Sequence, residues 1–564
     1  MEVLKRALTA ASLTCLIGAA APVFAGPNAG AYLAARQADQ TKDFAASVQY
    51  YSKALFADPT NEVLMENAMR AMIALGQIEQ AGTIADAMNA DGYDNLIGAL
   101  TATMVDIKAG NWTGVLNGLD AGRSISPLVD GLTRAWSLMG DGDLPVAFAA
   151  FEEVIATEGM ANYGLIHKAY ALASVGDFEA AEAVFRDNPG LRFSRQSVIG
   201  YAQILSQLEK NDEAGALMDR VFGGQLDPGL TVLRNQLSDG KSVAYSAVRT
   251  PAQGMADLYL LVASILQGDA PDDFTLLYAR GAMYFAPEDT QAILTTARLL
   301  ESLGQYDLAN ETFSKVAPDD PAFLAAELGR AEVLSAAEKP DAAIEVLDAL
   351  TRTHPDRAEV WAAKGDNLRR VDRFDAAKVA YTRALELYKD DSPGKWFVYF
   401  TRGIANHQLD EWSAAEADFR AALSLQPDQP QVLNYLGYSL VERGEQMAEA
   451  LAMIETAADA RPDSGAIVDS LGWVYFQLGR YDEAVLQLER AASLEPLDPI
   501  INDHLGDALW AVGREIEAAF QWQRALSFDP EEEEAARIRD KLALGLDAVL
   551  LAEGAAALRV ASED

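Results

Sequence analysis

The sequence predicts an all-α protein, a solenoid of antiparallel helix hairpins. Two units of 34 residues stand end to end between Gly465 and Glu532, with the same residue types at the same places. Small residues recur at about this period over much of the chain, and no segment alternates polar and apolar residues as strands do. Because one hairpin cannot bury its apolar face alone, a repeated hairpin implies a stacked array.

The first of these two units shows how its residues specify a hairpin. Leu471, Gly472 and Tyr475 occupy one face of a first helix. Gly479 follows that helix where a left-handed C-cap is favoured, and Pro496 closes the second helix. Small residues let the two helix backbones approach, and large residues fill the remaining space. The residues that recur in the second unit are Leu505, Gly506, Gly513, Ala518, Ala525 and Pro530.

This pattern resembles the tetratricopeptide repeat, in which W-x2-L-G-x2-Y is followed by A-x3-F, an alanine and a closing proline. The resemblance implies a right-handed superhelix whose concave face is lined by the first helix of each hairpin. The motifs at 434–438, 468–473 and 501–507 also look like those of exported repeat proteins of Gram-negative, alphaproteobacterial cells. Because such arrays serve as scaffolds in many systems, the resemblance implies binding without naming a pathway.

Residues 1–25 are typical of a secretory signal peptide. Lys5 and Arg6 precede an apolar stretch, and residues 23–25 form a cleavage site before Gly26. The alternative, an uncleaved anchor, is disfavoured because the stretch is short and weakly apolar against the roughly 20 residues of a spanning helix. The single cysteine, Cys15, lies inside this segment, so the exported chain would carry no thiol. We therefore expect a periplasmic or peripherally envelope-associated protein.

We predict four segments after the signal peptide. Residues 26–222 form a degenerate repeat array in which inter-helix glycines keep the period while the consensus fades. Residues 223–255, rich in Gly, Pro, Ser and Asp, form an irregular joint. Residues 256–532 form a regular array, and residues 533–564 form a capping helix and tail. Small residues mark the regular array at Ala263, Ala297, Ala331, Gly365, Gly403, Gly437, Gly472 and Gly506.

The chain is strongly acidic, with a formal net charge of −39. Phosphate backbones and anionic lipid surfaces are bound through Lys and Arg, so the charge argues against nucleic-acid partners. It has two interpretations: solubility of a long protein with much surface, or an acidic groove for basic partners. We also expect no transmembrane segment after signal cleavage.

The chain lacks the signatures of common catalytic sites. No G-x-S-x-G, H-E-x-x-H or Rossmann glycine pattern is present. His504 is the most suggestive of four histidines, because Asp503 and Asp507 lie within one helical turn of it. A zinc site needs further ligands that the sequence does not supply. We therefore predict a non-catalytic protein without a metal site or cofactor.

The resemblance places the binding surface on the first helices, where four positions of each unit line the concave face. The side chains at these positions are rich in aromatic rings and carboxylates, which suit an extended or helical peptide. The alternative role for the aromatic members is packing between neighbouring first helices. The predicted partner-binding residues are Arg369, Phe397, Phe400, His407, Asn434, Tyr438, Asp469, Trp473, Phe476, Asp503, Asp507 and Trp510.

Two functions fit these observations. The first is a protein–protein interaction scaffold of the bacterial cell envelope, which binds a peptide or protein in the concave groove. The second is an accessory sorting or assembly module for envelope polysaccharide or lipid machinery, whose aromatic rings would stack on sugars. Carboxylates stand where chaperone-binding repeats of this family carry lysines and asparagines, so a C-terminal acidic tail is not the expected ligand.

Overall fold

The computed structural model describes residues 29–90, 92–93, 95–389, 392–555 and 558. The predicted signal peptide lies outside these residues. Within them the chain is helical, with no strand and one isolated β-bridge between Gln267 and Ala270. Most consecutive helices within each unit pack against each other, which confirms the predicted all-α fold of stacked hairpins. None of the described helices combines the length and apolar character that crossing a bilayer requires.

The chain forms two compact units, which divide at Lys339 and Pro340. We call them the N-terminal unit and the C-terminal unit. The N-terminal unit contains α1 (Ala29–Gln40), α2 (Phe44–Ala57), α3 (Glu62–Ala74), α4 (Ile78–Ala90), α5 (Leu96–Lys108), α6 (Trp112–Asp120), α7 (Pro127–Asp141), α8 (Leu144–Ala156), α9 (Ala161–Ser174), α10 (Phe178–Asp187), α11 (Arg195–Gln207), α12 (Asn211–Phe222), α13 (Pro228–Ser238), α14 (Pro251–Leu266), α15 (Asp272–Phe285), α16 (Thr290–Ser302), α17 (Tyr306–Phe313) and α18 (Phe323–Ala336).

The C-terminal unit continues the same alternation of first and second helices. It contains α19 (Pro340–Thr353), α20 (Ala358–Arg370), α21 (Phe374–Leu387), α22 (Lys395–Gln408), α23 (Trp412–Leu425), α24 (Pro430–Glu442), α25 (Met447–Ala460), α26 (Gly465–Gln477), α27 (Tyr481–Leu494), α28 (Pro499–Ala511), α29 (Glu515–Leu526), α30 (Glu532–Leu544) and α31 (Leu546–Ala552).

Short turns with a shared design join the helices of a hairpin. Gly142 and Gly176 adopt positive φ of 92° and 87°, a conformation that glycine reaches without a steric penalty. The aspartate that follows each glycine caps the next helix, because Asp143 accepts from the Val146 amide and Asp177 from the Ala180 amide. The glycine spacing seen in the sequence therefore reports a turn that ends one helix and starts another.

A glycine on each first helix of the C-terminal unit lets a large side chain of the second helix approach. A Cβ atom built on Gly365 would lie 2.5 Å from the Tyr381 ring, and one on Gly506 would lie 2.4 Å from the Trp522 ring. Such distances are shorter than carbon–carbon contact allows. The predicted role of the small residues in close helix packing is confirmed, and further examples are Gly403, Gly437 and Gly472.

The N-terminal unit folds back on itself. Helix α14 packs against α7 and α9. Helix α15 packs against α3 and α5, and both of these lie more than a hundred residues before α15 in the chain. Tyr259 of α14 is fully buried in the main hydrophobic core together with Trp136 of α7 and Met104 of α5. Arg280 of α15, also buried, donates from Nε to the Ala74 carbonyl over 2.9 Å and so caps α3.

The predicted irregular joint at 223–255 lies inside the N-terminal unit and does not coincide with the division between units. It contains α13 and a non-helical stretch from 239 to 250. This stretch is held on α11, where Gln203 Oε1 accepts from the Ser246 and Ala247 amides and Ser206 Oγ accepts from the Val243 amide. The division falls later because α14 and α15, which carry regular repeat marks, pack on the first repeats.

A cap covers the last hairpin of the C-terminal unit, as predicted, but it consists of two helices. Gly545 separates α30 from α31 with a φ of 83°. Leu546 is fully buried, and Leu542 and Leu550 pack against the same core as Trp522. The cap therefore completes the apolar core of the last hairpin.

Candidate partner-binding face

Helices α20, α22, α24, α26 and α28 are the first helices of five successive hairpins, and they form the surface that we call the first-helix face. Direct packing joins α20 to α22, α24 to α26 and α26 to α28. On α26, Gly472 meets Leu488 of the second helix. The next residue, Trp473, is turned by roughly 100° around the helix axis, away from the hairpin interface. Trp473 is thus turned away from the second helix of its hairpin.

The predicted residues of α22 divide between the surface and the core. Phe397 is 39% exposed, whereas Phe400 is buried and packs edge-on against Tyr435 with ring centroids 5.9 Å apart. His407 is half-buried, and its Nδ1 lies 3.1 Å from the Tyr435 hydroxyl. Phe397 is therefore the accessible ring among the predicted residues of this helix. Phe400 instead packs between neighbouring first helices, the alternative role considered for the aromatic residues.

Arg369 of α20 belongs to a small polar network. Its Nε donates to the Tyr381 hydroxyl over 3.3 Å, and that hydroxyl donates to Asp366 Oδ1 over 2.8 Å. Burial raises the pKa of Asp366, and the Tyr381 hydrogen bond opposes that rise. Arg369 is thus half-buried, and its guanidinium group is partly used in the hydrogen bond to Tyr381.

The predicted residues of α24 are half-buried. Asn434 Oδ1 is buried and has no hydrogen-bond partner among the described residues. Burial raises the pKa of Tyr438, and the Glu442 carboxylate one turn later adds to that rise. Both side chains lie between the exposed ring of Phe397 and the cluster on α26, so they continue the same face.

A stacked cluster on α26 and α28 brings three predicted residues together with His504. His504 Nδ1 lies 3.0 Å from both carboxylate oxygens of Asp469. The Trp473 ring stacks on the His504 ring at 4.0 Å and on the Phe476 ring at 4.9 Å, nearly parallel to both. Burial alone would lower the pKa of His504, but Asp469, with smaller contributions from Asp503 and Asp507, outweighs it and raises that pKa.

The last predicted residues lie under the cap. The Lys541 side chain of α30 is fully buried, and its Nζ lies 2.7 Å from Asp503 Oδ2 and 2.7 Å from Asp507 Oδ1. Trp510 donates from Nε1 to Asp547 of α31 over 2.8 Å. Asp503, Asp507 and Trp510 therefore bind a segment of their own chain, which the sequence reasoning did not foresee.

Burial raises the pKa of Asp503 to about 6, and the nearby Asp507 carboxylate adds to this rise while Lys541 opposes it. Arg537 lies one turn before Lys541 and brings its Nη1 within 3.7 Å of Asp507. Two cations spaced four residues apart on α30 thus face two carboxylates spaced four residues apart on α28. That matched spacing is the signal from which the contact could have been predicted.

His504 pairs with Asp469. Within the described ranges, no group of three His, Cys, Asp or Glu side chains is arranged as a metal site requires. The flanking carboxylates Asp503 and Asp507 turn to Lys541 instead.

Family models described as tetratricopeptide repeat or TPR repeat match five segments of the chain: 132–189, 300–366, 362–430, 400–465 and 472–513. The chain contains tetratricopeptide repeats. The matches fall in both units and include most of the first-helix face. The residues that carried the resemblance in the sequence are thus repeat positions.

Two curated proteins are similar to part of the chain. A TPR repeat-containing protein of Pseudomonas aeruginosa is 29% identical over 188 residues, which cover 33% of this chain and 31% of that protein. Tetratricopeptide repeat protein 13 of Homo sapiens is 26% identical over 193 residues, which cover 33% of this chain and 22% of that protein. The aligned part thus spans less than a third of either relative.

Solved structures with similar chains include further repeat proteins. The APC/C hetero-tetramer Cut9–Hcn1 matches with a TM-score of 0.38 and 14% identity, over 92% of this chain and 96% of that chain. A tetratricopeptide repeat protein from Parabacteroides merdae matches with a TM-score of 0.36 and 16% identity, over 45% of this chain and 97% of that chain.

Proposed function

We propose that the protein is a non-catalytic scaffold of the bacterial cell envelope that binds a protein segment on the first-helix face of the C-terminal unit. The observation that carries this proposal is the row of partly exposed rings on successive first helices: Phe397, Tyr438 and Trp473. Aromatic side chains anchored in a rigid frame are the typical energetic centres of protein interfaces. The close-packed hairpins supply that frame.

The face is suited to a partner segment that carries amines or guanidinium groups beside apolar side chains. Glu442 of α24 and Asp469 of α26 lie close enough to Tyr438 to raise its pKa further, and Asp366 belongs to α20. At the end of the face Asp503 and Asp507 already hold the amine of Lys541. This internal contact illustrates how a basic side chain is bound there.

The envelope location is supported by the signal-like residues 1–25 and by the lack of a thiol beyond them. Fractionation of the source cells tests it directly. We expect the protein in the periplasmic or membrane-associated fraction, with an N-terminus at Gly26. A full-length cytosolic protein that still begins at Met1 would contradict the location without affecting the binding proposal.

The binding proposal is tested by titrating the protein with fluorescently labelled peptides, one set basic and aromatic and one set acidic. We expect the basic set to bind, with an affinity that falls as salt rises because the contacts are partly ionic. A Phe397→Ala, Tyr438→Ala double variant should weaken binding at least tenfold. Phe520→Ala is the matched control, since Phe520 is 63% exposed on the second helix α29.

Phe397 and Tyr438 are better test positions than the two tryptophans. Trp510 holds the cap through Asp547, and Trp473 is stacked between His504 and Phe476, so their loss would also disturb the fold. Equal affinity of the double variant and the Phe520→Ala control would remove the first-helix face as the binding site. Preferential binding of the acidic set would contradict the predicted partner chemistry.

A further inference from the structure

A cavity of about 900 Å³ lies within the N-terminal unit, apart from the face just described. It is bordered by α9, α14 and α16 and by the start of α11. Its volume is within the range of roughly 300–1,000 Å³ that small-molecule sites occupy. The cavity exists because α14 packs against α7 and α9 and, together with α16, borders the space beside α9.

His167 of α9 presents a buried donor to this cavity. The Trp136 indole can only donate, and its Nε1 lies 3.2 Å from His167 Nδ1, which must therefore accept. Burial lowers the pKa of His167 to about 3, so the ring is neutral near pH 7 and carries its proton on Nε2. The side chain is 1% exposed, and Nε2 has no hydrogen-bond partner among the described residues.

Asp257 of α14 faces this donor at a distance that one oxygen atom can bridge. Its Oδ2 lies 3.8 Å from His167 Nε2, beyond the range of a direct hydrogen bond. A hydroxyl oxygen at about 2.8 Å from both atoms would accept from Nε2 and donate to the carboxylate. A protonated amine cannot accept from Nε2. Burial raises the pKa of Asp257 to about 7, so at pH 8 this side chain is largely charged and a ligand carboxylate would face it with like charge.

The charged groups around the cavity have both signs, and three of the six have contacts within the protein. Three arginines and three aspartates line it: Arg192, Arg195, Arg298, Asp257, Asp272 and Asp289. Arg195 is paired with Asp227, Asp272 accepts from Ser302, and Asp289 caps α16. The lining therefore carries charges of both signs and does not favour a strongly charged ligand, and its polar groups also include the neutral amides of Gln253 and Gln267.

We propose that this cavity binds a neutral, hydroxyl-rich ligand of the saccharide class, with one hydroxyl placed between His167 Nε2 and Asp257. The amides of Gln253, through Nε2, and of Gln267 supply hydrogen-bonding groups for further hydroxyls. The half-buried rings of Tyr163 and Phe193 supply apolar surface against which a sugar ring packs. The cavity is separate from the first-helix face, so an experiment can contradict one binding proposal without affecting the other.

The test is calorimetric titration of the full chain with glucose, N-acetylglucosamine, trehalose and sucrose, beside glucose 6-phosphate and a basic peptide. We expect at least one neutral sugar to bind. At pH 8, where Asp257 is largely charged, Asp257→Asn keeps the shape of the side chain but loses the charge and should weaken that binding about tenfold. Asp212→Asn on α12 is the matched control, because Asp212 is an exposed aspartate of the same unit and lies outside the cavity lining.

A second measurement uses the wild-type chain and does not depend on the folding of a variant. Hydrogen exchange with and without the bound sugar should show protection at 161–174 and 251–266, the segments of His167 and Asp257. Protection confined to other segments would overturn the proposal. So would the absence of binding by every neutral sugar, which would leave water as the bridging group, or tighter binding of glucose 6-phosphate or the peptide at these segments.

Discussion

The two units differ in how far the faces of their first helices are covered. In the N-terminal unit, α14 and α15 cover α3, α5, α7 and α9 with an apolar contact centred on Tyr259 and Trp136. In the C-terminal unit the rings of Phe397, Tyr438 and Trp473 remain partly exposed. There the cap packs on the last hairpin, and its Lys541 contacts Asp503 and Asp507 of α28.

The difference explains why the repeat pattern fades in the first half of the chain. A first helix that contacts its neighbours and also α14 or α15 is buried on several sides, as in α5, where most residues are buried. Such a helix must match one particular partner, so residue choice follows that contact and departs from the consensus. A first helix with a free face needs only the contacts that every hairpin shares.

The largest effect is expected from removing the Tyr259 side chain, because it holds the fold-back of the N-terminal unit. Tyr259→Ala should lower the free energy of unfolding of this unit by about 3–5 kcal/mol, as for other large-to-small changes of buried rings. Tyr259→Phe is the control, since the buried hydroxyl has no hydrogen-bond partner among the described residues. Guanidinium unfolding followed by circular dichroism measures both, and equal losses would show that the ring is not the anchor.

Breaking the charged contact of the cap should lower the free energy of unfolding by a somewhat smaller amount. Lys541→Met leaves Asp503 and Asp507 buried without their amine, which should cost about 3 kcal/mol near pH 8. Because the pKa of Asp503 is already raised to about 6, the carboxyl becomes neutral at lower pH, and the loss should shrink at pH 5. Unfolding midpoints at the two pH values test this, and a loss that grows on acidification would contradict the assignment.

Two buried histidines should respond to pH with opposite signs. The lowered pKa of His167 keeps it neutral in the folded state, so below about pH 6.5 only the unfolded chain takes up the proton and stability falls on acidification. The raised pKa of His504 favours its charged form, so its contribution is present below about pH 6.5 and is lost as pH rises through the folded pKa.

Comparing the wild-type protein with His167→Gln and with His504→Gln isolates the contribution of each histidine to the pH dependence of stability. Relative to His167→Gln, the wild-type protein should lose stability from pH 6.5 down to pH 5, by at most about 1.4 kcal/mol per pH unit. Relative to His504→Gln it should lose stability as pH rises through the folded pKa of His504. Denaturation midpoints between pH 5 and pH 8 show both trends, and parallel curves for the two variants would refute the contrast.

The smallest effect concerns a feature that both units share, the left-handed turn residue between helices. Glu209 in the N-terminal unit and Asp410 in the C-terminal unit adopt φ of 60° and 59° without being glycine. Glu209→Gly and Asp410→Gly should each stabilise the protein by up to about 1 kcal/mol, because glycine avoids the strain of this conformation. Gly479→Ala, at the same turn position with φ 77°, should act in the opposite direction.

Thermal unfolding of these three variants compares the turns under one condition. A stabilisation in one unit only would mean that the turns are not equivalent, and destabilisation by Glu209→Gly and Asp410→Gly would show that local strain does not control them. These substitutions leave the cavity and the first-helix face unchanged, so ligand binding by the variants should equal that of the wild-type protein.

The sequence by itself determined the helix hairpins of this protein. Gly142 and Asp143 specify a turn and a helix start through local backbone geometry, and Gly506 specifies close packing against the residue that the repeat places opposite, Trp522. These properties depend on residues close in the chain or at a fixed repeat spacing, so a period of 34 residues reveals them. The aromatic character of the first-helix face follows from the same spacing.

Only the tertiary structure decided which faces remain free. Tyr259 shares one buried core with Trp136 and Met104, across sequence separations that no repeat period predicts, whereas Lys541 follows Asp507 by one period of 34 residues. Likewise, His167 and Asp257 come together only because α14 returns to α9. Apolar burial is non-directional, so a repeat pattern records that a helix must be covered but not which distant helix covers it.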